Sequence, residues 1–400
     1  MLRRFLVVFL AMCGSLTAVE PERLQRAQAE IPESRLLNVN IHLFDPGVPP
    51  EDPGALEKKG VFEEVRKAEG RYIPVRLMET LQSTGLWGSV RIVPDSATGG
   101  ELNVSGVILK SNGFLLSVRV RVQDATGKRW FERKYKERAN ALAYRDKDDG
   151  LGERLPFQNL YNRIANDLLE TRQRRKDQKL QNVRDIAQLT FARDFVPDAF
   201  SDYLHQKRNG RLKLKKLPSE DDPMMSRVDL VRERDLMFID TLTEHYVNFQ
   251  AQMGEAYHNW RKFSYEEEKA LRDARRAART QQILGALLIV GGILAEGDSD
   301  AAAVGRQAAV IGGNIALQSG IAKNQELKIH REALKELAAS FDAEVEPILV
   351  QVEGQTRKLT GSVETQYAQW RALLTEMFHT ETGTPIDPNA TAVTSPNGSQ

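Results

Sequence analysis

Between Leu116 and Val122 apolar and polar residues alternate without interruption. Leu116, Val118, Val120 and Val122 are separated by Ser117, Arg119 and Arg121. A period of two places the first set on one face of a β-strand and the second set on the other. Such a strand needs hydrogen-bonded neighbours and a layer packed on its apolar side. Asn112-Gly113 just before it is a strong signal for a two-residue hairpin turn, and Asp124-Ala125-Thr126-Gly127 just after it marks another turn. Leu102 to Leu109, the alternating run, and Arg129 to Tyr135 therefore read as a three-stranded meander.

Upstream, Leu37 to Phe44 alternates and is rich in strand formers, and Asp45 to Gly60 is a Pro/Gly/Asp-rich loop. Val61, Val65, Ala68, Tyr72, Val75, Met78 and Leu81 recur every three or four residues and predict a helix from Val61 to Thr84. Pro74 is expected to kink or divide it, and Gly85 sits where a helix ends. Trp87 to Val93 reads as a strand. A further helix follows Pro156, with Leu160, Ile164, Leu168 and Leu169 on one face. The order is strand, helix, strand, meander, helix.

Within this order, the phrases "IHLFDP", "GLWGSVRIVP" and "LNVSGVILKSNGFLLSVRVRVQDATGKRW" stand out. They resemble the small α+β domain shared by the amino-terminal domain of the Tol-system translocation protein, the curli-secretion lipoprotein and related envelope lipoproteins. The counterparts here are Val90 to Pro94, Gly106-Val107-Ile108 and Asp124 to Gly127, and the likeness covers about a third of the chain. It implies a role in protein–protein contact or envelope assembly, and no catalysis.

Beyond residue 180 strand patterns nearly vanish. Ile186 to Leu204 reads as a helix broken at Pro197, and Lys207 to Lys216 (KRNGRLKLKK) is a basic run. That run could touch acidic lipid headgroups or nucleic acid, or be a solvated loop. A long helix is expected from Ser226 to Gln282. Its stripe of Val228, Val231, Phe238, Leu242, Tyr246, Phe249, Met253, Tyr257 and Trp260 reads as core. Ser264-Tyr265-Glu266-Glu267 reads as the N-cap of a new charged helix. A last helix is expected from Asn324 to Phe378, with a break near Pro347.

One segment is unusual. Ile283 to Ala295 is an uninterrupted run of apolar or small residues, followed by the polar turn Glu296 to Asp300. Ala301 to Ala322 then carries Ala308, Gly312, Ala316 and Gly320 at i, i+4 spacing, with Gly305, Ala309 and Gly313 in an adjacent row. Small residues in such rows let two helix backbones approach closely, and the pair resembles the glycine-zipper hairpins of some envelope proteins. The first arm would span about 20 Å against the ~30 Å of a hydrocarbon core. The second arm carries Arg306, Gln307, Asn314 and Gln318, which are costly against lipid. Packing in a bundle or self-association is favoured over insertion, which would need an oligomer to hide those positions.

The amino terminus adds a compartment. Arg3-Arg4, the apolar run Phe5 to Cys13 and the small residues Gly14 to Ala18 follow the order of a secretory signal. Cleavage after Ala18 competes with lipidation at Cys13, because Leu10-Ala11-Met12-Cys13 resembles a lipobox. Met12 departs from that pattern and favours discard of the cysteine with the signal. Cys13 is the single cysteine of the chain, so no internal disulfide can form. The expected location is the periplasm, with association to the outer membrane open.

The fold class expected is thus α+β: a signal peptide over 1–18, a small α+β meander domain over 35–180, a mainly α-helical domain over 181–379 with a Gly/Ala-rich helical hairpin at 283–322, and a disordered tail over 380–400. The histidines are scattered, and Glu255/His258 is a lone E-x-x-H where a di-iron bundle needs two. Nucleotide and hydrolase motifs are absent from the sequence. Asp148-Asp149 and Asp221-Asp222 read as solvated loop acids. No catalytic residue, cofactor or metal is assigned. A formal net charge of +1 gives no global field for nucleic acid, so none is expected as a partner. The expected partners are another envelope protein or a second copy, with membrane contact. The rival classes are an envelope hydrolase, whose site could assemble only in space, and a membrane-inserting oligomer.

Overall fold

In the computed structural model, residues 22–139, 141–144, 155–292 and 347–383 are described, 353–354 excepted, together with 329, 331–333 and 335–336. The strands are β1 (Val39–Ile41), β2 (Val90–Ile92), β3 (Leu102–Ser111), β4 (Leu115–Asp124), β5 (Arg129–Arg138), β6 (Leu204–Gln206), β7 (Leu212–Leu214), β8 (Ile348–Val352) and β9 (Gln355–Leu359). The helices are α1 (Pro53–Lys58), α2 (Glu63–Gln82), α3 (Gln158–Gln173), α4 (Asp177–Phe195), α5 (Pro197–Phe200), α6 (Pro223–Gly292) and α7 (Val363–Thr382). The chain is a mixed α+β protein built on a five-stranded sheet of order β2-β1-β3-β4-β5.

β1 pairs in parallel with both β2 and β3, and β3-β4-β5 is the antiparallel meander. The alternation predicts the faces. Val118, Val120 and Val122 are buried beside Val39, Ile41, Val104 and Ile108, under α2 and α3, while Arg119 and Arg121 are exposed. The first turn differs from expectation. It has three residues, Asn112 to Phe114, because Asn112 Oδ1 accepts from the backbone N–H of Phe114 (3.1 Å) and Leu115 (2.7 Å). An Asx side chain that closes the turn itself replaces the two-residue geometry.

Pro74 does not divide α2. A proline inside a helix frees the carbonyl four residues earlier, which here belongs to Gly70. That carbonyl accepts the N–H of Phe44 at 2.9 Å and ties α2 to the segment after β1. Gly70 must be glycine at this contact, since a Cβ would lie 2.6 Å from Phe44 O. The ring of Phe44 in turn lies flat on Gly106, where a Cβ would come within 2.3 Å. Two phrases of the resemblance, "IHLFDP" and "GVI", thus meet in space through a residue with no side chain.

Both sheet edges are covered, which removes an open template for pairing. On the β2 side, Thr243 of α6 accepts from Ile92 N–H (3.2 Å) and donates to Ile92 O (3.1 Å), while Arg91 pairs with Asp240 at 2.6 Å. On the β5 side, Arg163 of α3 donates to Lys136 O at 2.9 Å, and Tyr135 donates to Asp167 at 2.6 Å.

The aromatic stripe of α6 is core as expected, but it packs on the sheet and on α2 rather than only on helices. The apolar core runs without a break from Val39 and Ile92 to Phe238, Tyr367 and Leu374. Three helix expectations are corrected. Ser264 does not start a new helix: α6 continues through it, and Ser264 Oγ accepts from Gly113 N–H at 3.2 Å. The helix expected to end at Gln282 runs on through 283–292, so the described part of the apolar run continues α6. Finally, Pro347 precedes the hairpin β8–β9, after which α7 starts on Ser362, whose hydroxyl accepts from Thr365 N–H at 3.3 Å. β-Branched and turn residues from Ile348 to Thr360 win over the three/four spacing that suggested a helix. Residues 207–211 of the basic run form the tip of the β6–β7 hairpin.

Candidate functional site

Cys13 and the row Gly305, Ala308, Ala309, Gly312, Gly313, Ala316 and Gly320 lie outside the described residues, as do Asp148 and Asp149. Asp222 caps α6, its Oδ1 accepting from Met224 N–H (2.9 Å) and Met225 N–H (3.1 Å). Among the described residues no group of three or more His, Cys, Asp or Glu is arranged to hold a metal ion, and no helix is long and apolar enough to cross a membrane.

Polar chemistry concentrates instead where α6 crosses the sheet. Glu69, on the buried face of α2, is 0% exposed. Its Oε1 accepts from Ser111 Oγ at the end of β3 and from Tyr257 OH on α6 at 2.6 Å. Arg261, one turn after Tyr257 and 3% exposed, brings Nη2 to 3.7 Å from the same oxygen. Arg66 Nε stands 4.0 Å from Oε2 and donates through Nη1 to Ile108 O at 3.3 Å. The Arg261 guanidinium also lies over the rings of Tyr257 (4.1 Å) and Phe157 (4.9 Å). Phe157 has φ 66°, a left-handed backbone that is uncommon outside glycine, and its ring is one wall of this cage.

The electrostatics follow from burial. Loss of water alone would lower the pKa of Arg261, but its surroundings, Glu69 among them, hold it above its ordinary value, so it stays a cation. Burial pushes the hydroxyls of Tyr257, Tyr144 and Tyr161 up, so all three stay neutral donors. Among the described residues Glu69 Oε2, Arg261 Nε and the Tyr161 hydroxyl have no hydrogen-bond partner. This is a buried ion pair wrapped in aromatic rings, with α2, β3, α3 and α6 all contributing.

Next to it the backbones come close. A Cβ on Gly113 would lie 1.9 Å from Arg261 O and 2.4 Å from Tyr265 N, so only glycine lets the β3–β4 turn touch α6. Tyr144 donates to Gly113 O at 2.6 Å, and Phe114 stacks on Tyr265 at 5.9 Å.

A second polar node fixes α7. Asp235 of α6, 2% exposed, accepts from Tyr367 OH at 3.1 Å and lies 3.9 Å from Arg371 Nη1. Arg371 Nη2 donates to Asp194 of α4 at 2.7 Å, and Thr98 donates to the same oxygen at 3.0 Å. Burial pushes the Asp235 carboxyl up to about 6, against the pull of Arg371. Nearby, Glu101 accepts from Asn38 N–H and Nδ2, each at 2.9 Å, and burial raises its pKa too. The cavity between Asn38, Gly100, Glu101, Arg232 and Asp235 is about 20 Å³, room for one water.

The chain matches no family model, no curated protein and no solved structure. Sequence spacing did hold a signal for the first node. Arg261 follows Tyr257 by four residues and Glu69 follows Val65 by four, so both charges stand on faces the periodicity assigns to core. Their pairing across 192 positions was not readable, because it depends on how α6 lies on the sheet.

Proposed function

We propose that this is a non-catalytic protein of the bacterial cell envelope, acting in protein–protein contact or assembly. Residues 35–180 form a docking head. The helical part, 181–379, carries an Ala/Gly-rich hairpin over 283–322 that serves self-association or membrane contact. The reading rests first on how α6 is held. The Glu69–Arg261–Tyr257 node and the Gly113 contact fix the middle of a 70-residue helix to the head. At 1.5 Å per residue the helix is about 105 Å long, and past Tyr265 its last turns lead to the hairpin segment. A helix fixed at its middle is suited to hold that segment at a set distance from the head.

Two sequence features support the envelope. The first 18 residues follow the order of an export signal, and 35–180 resembles the Tol- and curli-type periplasmic domain. Signal cleavage after Ala18 removes Cys13; retention of Cys13 would make it a lipid anchor.

Cell fractionation followed by a carbonate wash tests the reading. The protein is expected in the envelope fraction, and intact-mass measurement is expected to show loss of residues 1–18. Recovery of the uncleaved chain from the cytoplasm would sink it.

A further inference from the structure

The outward face of the meander is a cationic surface. β4 contributes Arg119 and Arg121, and β5 contributes Arg129, Lys134 and Lys136, all exposed. Among the described residues Glu132 alone answers them on this face, pairing with Arg121 (3.1 Å) and Arg129 (2.7 Å). Arg119 stands directly opposite Lys134 in the sheet register. Like charges facing each other across a ladder destabilise it. Among the described residues neither one has an ion-pair partner, so the repulsion is not answered within the fold.

The surface continues at the end of these strands. Leu212 N–H of the β6–β7 hairpin donates to Thr126 O in the β4–β5 turn at 2.9 Å, and Arg211 Cα lies 3.5 Å from the Cβ position of Gly127. The hairpin extends the cationic face with Lys207, Arg208, Arg211 and Lys213, all exposed. Just beyond it Leu217 is 56% exposed, next to Lys215 and Lys216. A cationic plane edged by an exposed leucine matches an interface of phosphates over hydrocarbon. Bases stack on aromatic side chains, and the exposed face of β4 and β5 has none.

We propose that this face docks the protein on a bilayer surface rich in anionic phosphate headgroups. The contact is separate from segment 283–322 and holds whether or not that segment meets lipid.

The test is sedimentation of the full chain with vesicles of phosphatidylcholine alone or mixed with phosphatidylglycerol. Binding is expected only to the mixed vesicles and to fall as salt rises. Each cation near such a surface contributes enough that Arg119→Gln with Lys134→Gln should weaken binding about 30-fold. Arg119→Lys with Lys134→Arg should keep it, and equal melting temperatures would show both variants folded. Equal binding to neutral vesicles, or full binding by the glutamine variant, would overturn the proposal. Tighter binding of single-stranded RNA than of vesicles, lost in the same variant, would overturn it in favour of nucleic acid.

Discussion

Single residues decide how close the parts of this protein can come. Gly113 and Gly254 make the contrast. The first has α6 backbone within 2 Å of its Cβ position, and the second has open space. Gly113→Ala must push the β3–β4 turn off the helix, at a cost of about 1–3 kcal/mol or more. Gly254→Ala, inside a helix, should stabilise by about 0.5–1 kcal/mol. Denaturant midpoints that move in opposite directions are expected, and a neutral Gly113→Ala would remove the contact from the account. Arg261 is the other decisive residue. Arg261→Met removes one of the two guanidinium groups that face buried Glu69, leaving Arg66 at 4.0 Å, and should cost up to about 3–5 kcal/mol. Adding Glu69→Gln should return part of that loss, since a neutral amide still accepts from Tyr257 and Ser111. A cycle with no coupling between the two sites would show that the pair does not act as a node.

At the scale of elements, sequence periodicity was a good guide where one face meets one layer. The α6 stripe and the β4 alternation came out on the faces expected, except that Ser117, read as part of the wet face, is buried. It failed where context overrides local pattern. Pro74 should break α2, but the carbonyl it frees is taken up by Phe44. Ser264 looks like a cap, but its hydroxyl serves a turn 151 positions away. The stretch after Pro347 has helical spacing, yet its β-branched residues pair as a hairpin, and Gly361 then turns the chain into α7. The candidate nodes were legible only as charges in odd places, since no local rule pairs residue 69 with 261 or 235 with 371.

The docking of α7 carries a pH dependence at this scale. Asp235 titrates near 6 when folded, above its ordinary 3.8. The folded state therefore binds this proton more tightly than the unfolded state does. The stabilisation is full below about 3.8 and is lost as pH rises through 6, amounting to about 3 kcal/mol. Asp235→Asn keeps an acceptor for Tyr367 without the buried charge. Stability measured from pH 4 to 7 should fall in the parent relative to the asparagine variant, with the difference levelling above about 6. A constant difference would mean Asp235 does not titrate in this window.

At the scale of the whole molecule, the sheet, α6 and α7 share one core, and both sheet edges are closed by helices of the same chain. Thr243→Val would remove the side-chain hydrogen bonds along β2 while keeping its shape, and should cost about 1–2 kcal/mol. What lies beyond the head is the long run of α6 toward the Ala/Gly-rich segment, and the functional reading depends on what that segment does. The most direct measurement is the mass of the purified full chain in solution, compared with Gly312→Leu. The reading expects an assembly larger than the 45.0 kDa chain, reduced toward the monomer when leucine overfills the small-residue row. A monomeric parent, unchanged in mass and stability by Gly312→Leu and washed from membranes by carbonate, would contradict it.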